Sequence, residues 1–92
     1  MRFIYPAVIK ELPDGRFHAR FPDLEMCEAE GATLDLALRE AKAAAWSWVD
    51  LEFTEEDPKL PPASDPEDLT LEEGEFVRNI LIIYRVHEGW DE

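Results

Sequence analysis

The sequence predicts an α+β fold: a small antiparallel three-stranded sheet, a final C-terminal strand, and one main helix packed on one face. Three observations predict it. Three short β-prone segments open the chain, one amphipathic helix follows them, and a last β-prone segment comes after a Pro-rich connection. A length of 92 residues corresponds to one domain with one modest core, so residues 1–92 are interpreted as a single domain.

The first two strands are predicted to form a hairpin. Residues 2–10, RFIYPAVIK, are rich in aromatic and β-branched residues, and Pro6 suits an edge, a bulge or a position without a ladder hydrogen bond. Pro-Asp-Gly at 13–15 is a turn sequence, because proline presets φ and glycine accepts positive φ. The second strand alternates apolar and charged residues, and three of its side chains are expected to face the core: Phe17, Ala19 and Phe21.

A third short strand is predicted in EMCEAE, residues 25–30. The chain turns before it at Pro22 and Asp23. Because side chains alternate along a strand, Met26 and Cys27 are expected on opposite faces.

One amphipathic helix is predicted from about Leu34 to about Phe53, after Gly31. Thr33 suits the N-cap, because its hydroxyl oxygen can accept a hydrogen bond from an unpaired amide at the helix start. Six apolar residues recur at spacings of three and four and form the face toward the sheet: Leu34, Ala37, Leu38, Ala41, Ala45 and Trp48. A second apolar set lies on another side of the helix, where it is either covered by the C-terminal segment or forms a partner surface: Trp46, Val49 and Phe53.

The helix is followed by an acidic, Pro-rich connection, residues 54–75. It holds four of the seven prolines, and residues 50–75 contain eleven acidic side chains against one basic side chain, Lys59. Since proline cannot continue a helix, we interpret this stretch as an extended connection over the surface.

The last β-prone segment is EFVRNILIIYRV, residues 75–86. Its apolar residues divide between two faces, with Ile80, Ile82 and Tyr84 on one and Leu81 and Ile83 on the other. Because both faces are apolar, this strand is either covered on both sides or part of an oligomer interface.

The charge balance limits the classes of partner. The chain has 22 acidic and nine basic residues, a formal charge of −13. Phosphate would be repelled, so direct nucleic-acid binding is not expected, whereas a basic protein partner is complementary. A single cysteine fits the reducing cytoplasm, and neither a signal sequence nor a membrane-spanning segment is apparent. A cytoplasmic protein without a membrane partner is therefore expected.

Candidate catalytic and metal-binding residues are few and scattered. Cysteine catalysis needs a base within hydrogen-bond reach, and nothing in the sequence brings His18 or His87 to Cys27. No Cys or His pair has metal-ligand spacing, and no glycine-rich phosphate loop is present. The residues favour a binding or regulatory module, without metal or cofactor, over an enzyme. The enzymatic alternative is a metal-dependent nuclease with a carboxylate such as Asp23 among its ligands.

Six short motifs in order resemble HicB-type antitoxins of bacterial HicA–HicB toxin–antitoxin pairs. They are YPAVI (5–9), DGRF (14–17), FPDLEMC (21–27), GATLDLAL (31–38), LPPAS (60–64) and NILIIYRV (79–86). Two positions depart from the family pattern. Met26 stands where the family usually has glycine, which could adopt positive φ, and Leu36 stands where an acidic residue often completes a capping box.

The resemblance implies a partial ribonuclease H-like fold, no enzymatic activity, and a role in neutralising a toxin. The implied partner is a small, basic, HicA-like ribonuclease that cleaves messenger RNA and whose RNA-binding surface the antitoxin covers. Many members of the family carry a C-terminal DNA-binding segment. Because this sequence stops at Glu92, soon after the last strand, we expect a truncated form with no direct nucleic-acid contact.

Two sets of residues are candidates for these contacts. Acidic side chains around the helix end are candidates for binding the toxin: Asp50, Glu52, Glu55, Glu56 and Asp57. Apolar side chains are candidates for the surface of a homo-oligomer, a dimer or tetramer: Trp46, Val49, Phe53, Leu81 and Ile83. The alternative function is an orphan homo-oligomeric structural or regulatory module without a toxin.

Overall fold

A four-stranded antiparallel sheet with one long helix on one face forms the protein, as the sequence predicted. The computed structural model describes residues 2–56 and 59–84. The described elements are β1 (Arg2–Glu11), β2 (Phe17–Arg20), β3 (Glu28–Gly31), α1 (Leu34–Phe53), a 3-10 helix (Pro66–Asp68) and β4 (Glu75–Ile83). The strand order is β3-β2-β1-β4, so β1 lies inside the sheet and β4 pairs with it over nine consecutive residue pairs.

Helix α1 spans the predicted residues, and its N-cap is the predicted one. The Leu36 amide donates to the Thr33 hydroxyl oxygen at 3.1 Å, so the start is capped even though Leu36 replaces the acid of a capping box. Small side chains bring the helix close to the sheet: Ala37, Ala41 and Ala45 are fully buried. The larger residues of the predicted face, Leu34, Leu38 and Trp48, pack at the margin of the core.

The core lies between α1 and one face of the sheet. Its strand residues follow the period of two and are Tyr5, Ala7 and Ile9 of β1, Ala19 of β2, and Ile80 and Ile82 of β4. Phe21, Leu24 and Cys27 complete it from the loop after β2. Phe17, Ala19 and Phe21 therefore take the predicted side, with Phe17 at the edge of the cluster.

The second face of the sheet is buried in one part and exposed in another. Pro6 and Val8 are buried, whereas Ile4, Leu81 and Ile83 are 55%, 38% and 45% exposed. Pro6 lies in an interior strand, but the ladder with β2 extends only as far as the Val8–Arg20 pair. At Pro6, β1 therefore has no β2 residue beside it. Proline is tolerated there because no ladder hydrogen bond to β2 requires its missing N–H group.

Three segments differ from their predicted extent. Strand β3 covers Glu28–Gly31, so Met26 and Cys27, predicted within it, lie in the preceding loop. Strand β4 ends at Ile83, so Tyr84, predicted within it, follows the strand, and residues 85–86 of the predicted range lie outside the described residues. The connection is extended except for the single 3-10 turn, which the Asp65 carboxylate caps by accepting from the Glu67 amide at 3.0 Å.

Position 31 requires glycine because there is no room for a Cβ atom. A Cβ atom built on it would lie 2.3 Å from the Ala37 amide nitrogen and 2.7 Å from the Leu36 carbonyl carbon. Both neighbours are helix backbone, which cannot move aside without shifting α1. The absence of a side chain here therefore allows the end of β3 to pass under the first turn of the helix.

We expect Gly31→Ala to destabilise the protein by about 1–3 kcal/mol, the usual cost of overpacking. Urea unfolding followed by circular dichroism measures the free energy of unfolding. The matched control is Ala32→Ser at the exposed neighbouring position, which should change that free energy by less than about 0.5 kcal/mol. Equal stability of Gly31→Ala and the parent would show that α1 does not approach β3 this closely.

Candidate functional site

The predicted acidic residues gather at the C-terminal end of α1. Asp50 and Glu52 lie in the last turns of the helix, and the exposed Glu55 and Glu56 follow it directly. The structure brings these four together along one short stretch, while Asp57 lies outside the described residues. We call Asp50, Glu52, Glu55 and Glu56 the acidic pole.

Hydrogen bonds orient two members of the acidic pole. One carboxylate oxygen of Asp50 accepts from the Tyr84 hydroxyl at 2.7 Å, and one of Glu52 accepts from the Lys59 backbone amide at 2.9 Å. The bond to Asp50, followed by burial and by the carboxylate's negative charge, raises the pKa of Tyr84. Tyr84 therefore stays a neutral hydrogen-bond donor at physiological pH.

The helix dipole adds to the negative potential of the acidic pole. The last turn of α1 contains no basic residue, although lysine and arginine are the residues that stabilise a helix C-terminus. Elsewhere, basic side chains pair within the chain, since Arg16 meets Glu30 at 3.3 Å and Arg39 meets Asp35 at 3.6 Å. The acidic pole thus combines carboxylates with the negative end of the helix.

Aromatic rings cover the second apolar set of α1. Tyr84, at the end of β4, stacks on Phe53 with ring centroids 5.0 Å apart and lies 5.5 Å from Trp46. Val49 is fully buried, so it cannot contribute to a surface, while Trp46 remains 40% exposed. Cover by the C-terminal segment is thus the better of the two interpretations.

The candidate oligomer residues occupy two sides of the molecule. The aromatic pair Trp46 and Phe53 lies on the helix side, with Tyr84. Leu81 and Ile83 point away from the helix, because they alternate with the buried Ile82. These candidates therefore do not form one surface.

The loop of residues 21–27 is a compact, anchored structure. The Phe21 amide donates to the Cys27 carbonyl at 3.0 Å, and the Cys27 amide donates to the Leu24 carbonyl at 3.0 Å. The Trp48 indole donates to the Glu25 carbonyl at 3.0 Å, which attaches the loop to α1. The loop therefore closes on itself and is held against the helix.

Asp23 connects this loop to the acidic connection, a role that the sequence did not predict. Its carboxylate accepts from the Ser64 amide at 2.8 Å and from the Ser64 hydroxyl at 2.6 Å. Nearby, the Tyr5 hydroxyl donates to the Pro61 carbonyl at 2.6 Å, and burial, then the negative charge of Asp23, raises the pKa of Tyr5. The only sequence signal was the joint presence of FPDL and LPPAS, 41 residues apart at Asp23 and Ser64.

Cys27 is packed as an apolar residue. Its side chain is 5% exposed, and burial, reinforced by the charge of Glu28, raises the pKa of the thiol to about 11. At neutral pH the nucleophilic thiolate is therefore scarce. His18 lies on the other face of the sheet, where it contacts Glu28 at 2.8 Å, and His87 lies outside the described residues.

Neither a metal centre nor a membrane span is visible in the part of the chain that the structure describes. Over residues 2–56 and 59–84, no three His, Cys, Asp or Glu side chains are placed to hold one metal ion. The carboxylate of Asp23, the candidate ligand of the nuclease alternative, binds Ser64 instead. Among the described helices, none is both long and apolar enough to cross a bilayer.

Solved structures share this architecture. No family model matches the chain, and no curated protein matches it. A chain of a toxin–antitoxin complex from Streptococcus pneumoniae is similar with a TM-score of 0.73 and 22% identity, covering 90% of this chain and 70% of that one. A chain of the HicA3 and HicB3 toxin–antitoxin complex is similar with a TM-score of 0.65 and 26% identity, covering 88% of this chain and 96% of that one. The fold is shared with components of toxin–antitoxin complexes.

Met26 keeps the backbone conformation that glycine would favour. Its φ is +63°, and it is the single residue other than glycine with positive φ in the described chain. Its side chain is 90% exposed, so packing does not explain its presence. Met26 thus occupies a left-handed position that glycine would adopt at lower steric cost.

We expect Met26→Gly to stabilise the protein by about 1 kcal/mol, because glycine adopts positive φ without the steric cost that other residues incur. Thermal and urea unfolding would measure the gain. The adjacent exposed residue gives a matched control: Glu25 has no positive φ, so Glu25→Gly should destabilise by about 0.5–1 kcal/mol. A loss of stability in Met26→Gly would contradict the left-handed turn.

We expect Asp23 and Ser64 to be energetically coupled by about 1 kcal/mol or more, since their bonds involve a charged acceptor. A double-mutant cycle of Asp23→Ala and Ser64→Ala, read by urea unfolding, measures this coupling. Asp23→Ala combined with Ser47→Ala, at an exposed helix position, is the control pair and should be additive. Additivity of the Asp23 and Ser64 changes would mean that the connection is not anchored there.

Proposed function

We propose that this chain is the antitoxin of a toxin–antitoxin pair and neutralises a small, basic, HicA-like ribonuclease by covering its RNA-binding surface. The fold carries the proposal: it is similar to a chain of the HicA3 and HicB3 complex over 88% of the present chain, at 26% identity. The six ordered motifs support the same assignment independently of the coordinates.

Charge supports a basic partner. The formal charge of −13 gives a negative potential that speeds encounter with a cationic protein and repels RNA. A toxin that binds RNA through basic groups must present those groups to phosphates. Carboxylates of the antitoxin can occupy the same groups, so binding of antitoxin and of RNA would exclude each other.

The acidic pole is the proposed contact surface. Its carboxylates surround the negative end of α1, and Asp50 and Glu52 are already oriented by hydrogen bonds from Tyr84 and Lys59. An oriented carboxylate loses less side-chain entropy on binding than a mobile one. The uncompensated helix end costs stability within the free chain, and a cation from the partner would remove that cost.

The test uses the protein encoded by a small basic reading frame beside this gene. We expect the two purified proteins to form a stable complex at low salt, and the complex to block RNA cleavage. The triple variant Glu52→Gln, Glu55→Gln, Glu56→Gln should weaken the complex by roughly tenfold or more, because charge pairs at an interface contribute more than about 1.4 kcal/mol together. Isothermal titration calorimetry gives the affinities.

A second triple variant separates the acidic pole from net charge. Glu11→Gln, Glu25→Gln, Glu40→Gln removes the same number of charges from exposed positions on β1, the 21–27 loop and the outer side of α1. This control should bind nearly as the parent does. Equal weakening by both triples would exclude the acidic pole as the contact surface. Failure of the parent pair to associate at low salt, or absence of any such neighbouring frame, would overturn the antitoxin assignment.

A further inference from the structure

Strand β4 presents an open edge. It pairs with β1 through nine consecutive residue pairs, from Arg2–Ile83 to Lys10–Glu75, and no described strand pairs with its other side. The outward N–H and C=O groups of an edge strand can pair with another chain. An edge of this length is unusual for a sheet in which β2 and β3 have four residues each.

The usual protections of an edge are missing from β4. Its sequence, EFVRNILII, contains neither proline nor lysine, and its ladder with β1 has no bulge. The two charged side chains of the strand interact with other side chains of the same chain. Glu75 is paired with Arg20 at 3.6 Å, and the Arg78 guanidinium lies 5.0 Å from the centre of the Phe76 ring.

An exposed aliphatic strip lies beside this edge. Leu81 and Ile83 point to the second face of the sheet, and Ile4 stands directly across from Leu81 on β1. All three are at least 38% exposed. A partner strand along β4 would bury part of this strip in addition to satisfying the backbone groups.

The charge distribution permits a second copy at this edge. The whole chain carries −13, but β4 has one acid and one base, Glu75 and Arg78. Beside it, a groove of about 230 Å³ between α1 and β4 is lined by Asp35, Arg39 and Lys42 among others, so the flank of the helix also carries both signs. The described charges beside this edge are therefore mixed in sign, so a second acidic copy meets no concentration of acidic side chains here.

The other edge of the sheet is closed to the same interaction. Strand β3 has four residues, and its sequence, EAEG, places Glu28 and Glu30 on one face. A short, acidic edge resists pairing, so head-to-tail addition of β4 to β3 would not propagate. Pairing of β4 with β4 of another copy uses the open edge on both sides and gives a closed dimer.

We propose that two copies of this chain pair through antiparallel β4 strands across a twofold axis and form one continuous eight-stranded sheet. The two aliphatic strips meet on the second face of this sheet, and the two α1 helices lie together on the first. The dimer surface is therefore β4 with Ile4, and Trp46 and Phe53 are not part of it. This inference does not rest on the proposed function, because its observations are the open backbone edge of β4 and the aliphatic strip, and none of these residues belongs to the acidic pole.

Sedimentation velocity and light scattering of the full chain over a wide concentration range test the dimer. We expect a monomer–dimer equilibrium in which Leu81→Glu raises the dissociation constant by roughly tenfold or more, because each copy loses an apolar contact and gains a charge facing its symmetry mate. The matched control is Leu36→Glu. Leu36 is 42% exposed, against 38% for Leu81, and lies in the first turn of α1 over β3.

The outcomes separate this dimer from other arrangements. A monomer at every concentration, or a dimer that Leu36→Glu weakens as much as Leu81→Glu does, would overturn the proposal. So would a dimer in which hydrogen exchange at β4 amides does not slow with concentration, since edge pairing must protect those amides. A parent monomer that protects β4 only when the basic toxin is added would assign the edge to the toxin instead.

Cysteine substitutions give the register of the pairing. In a Cys27→Ala background, Asn79→Cys, Leu81→Cys and Ile83→Cys each place a thiol on the second face of β4. A disulfide links two copies only where the residue lies within about 7 Å of its symmetry mate. We expect one of the three to cross-link much faster than the others and the fast position to mark the axis. Equal, slow rates at all three would contradict a β4–β4 pairing whose twofold axis lies at one of these second-face residues.

Discussion

Close approach between α1 and the sheet is the constraint on which the other features depend. The contact uses Ala37, Ala41 and Ala45, all fully buried, and Gly31, which has no room for a Cβ atom. Because these residues have small side chains or none, the helix backbone lies close to the strands. Larger side chains at its margins then reach sideways, as Trp48 does when it donates to the Glu25 carbonyl.

The 21–27 loop connects the core to α1 and to the acidic connection, which are distant from it in the sequence. It fills the core with Phe21 and Leu24, and it binds α1 through Trp48. It also holds the acidic connection through Asp23 and Ser64. A catalytic role for Cys27 is inconsistent with this architecture, since the thiol is buried and its pKa is raised to about 11. The loop instead fixes the middle of the connection that leads from the acidic pole to β4, at Ser64.

The acidic pole and strand β4 differ in charge. The acidic pole lies where α1 ends, with no basic residue in the last turn of the helix. Strand β4 is neutral overall and exposes Leu81 and Ile83. A surface of one sign suits a partner of opposite sign, whereas a neutral apolar edge suits a copy of the same chain. The proposed toxin contact and the proposed dimer contact therefore use different residues, and the two regions adjoin where Tyr84 donates to Asp50.

The sequence by itself determined the α+β class, both ends of α1, the Thr33 cap and the inward side of Phe17, Ala19 and Phe21. Periodicity, capping and turn chemistry are local, and here they agree with one another. Only the tertiary structure decided that β1 lies inside the sheet, that Met26 precedes β3, that Val49 is buried, and that Asp23 binds Ser64. The place of β1, the burial of Val49 and the Asp23–Ser64 bond depend on segments that meet in space from distant positions in the chain, and local patterns do not specify which segments meet.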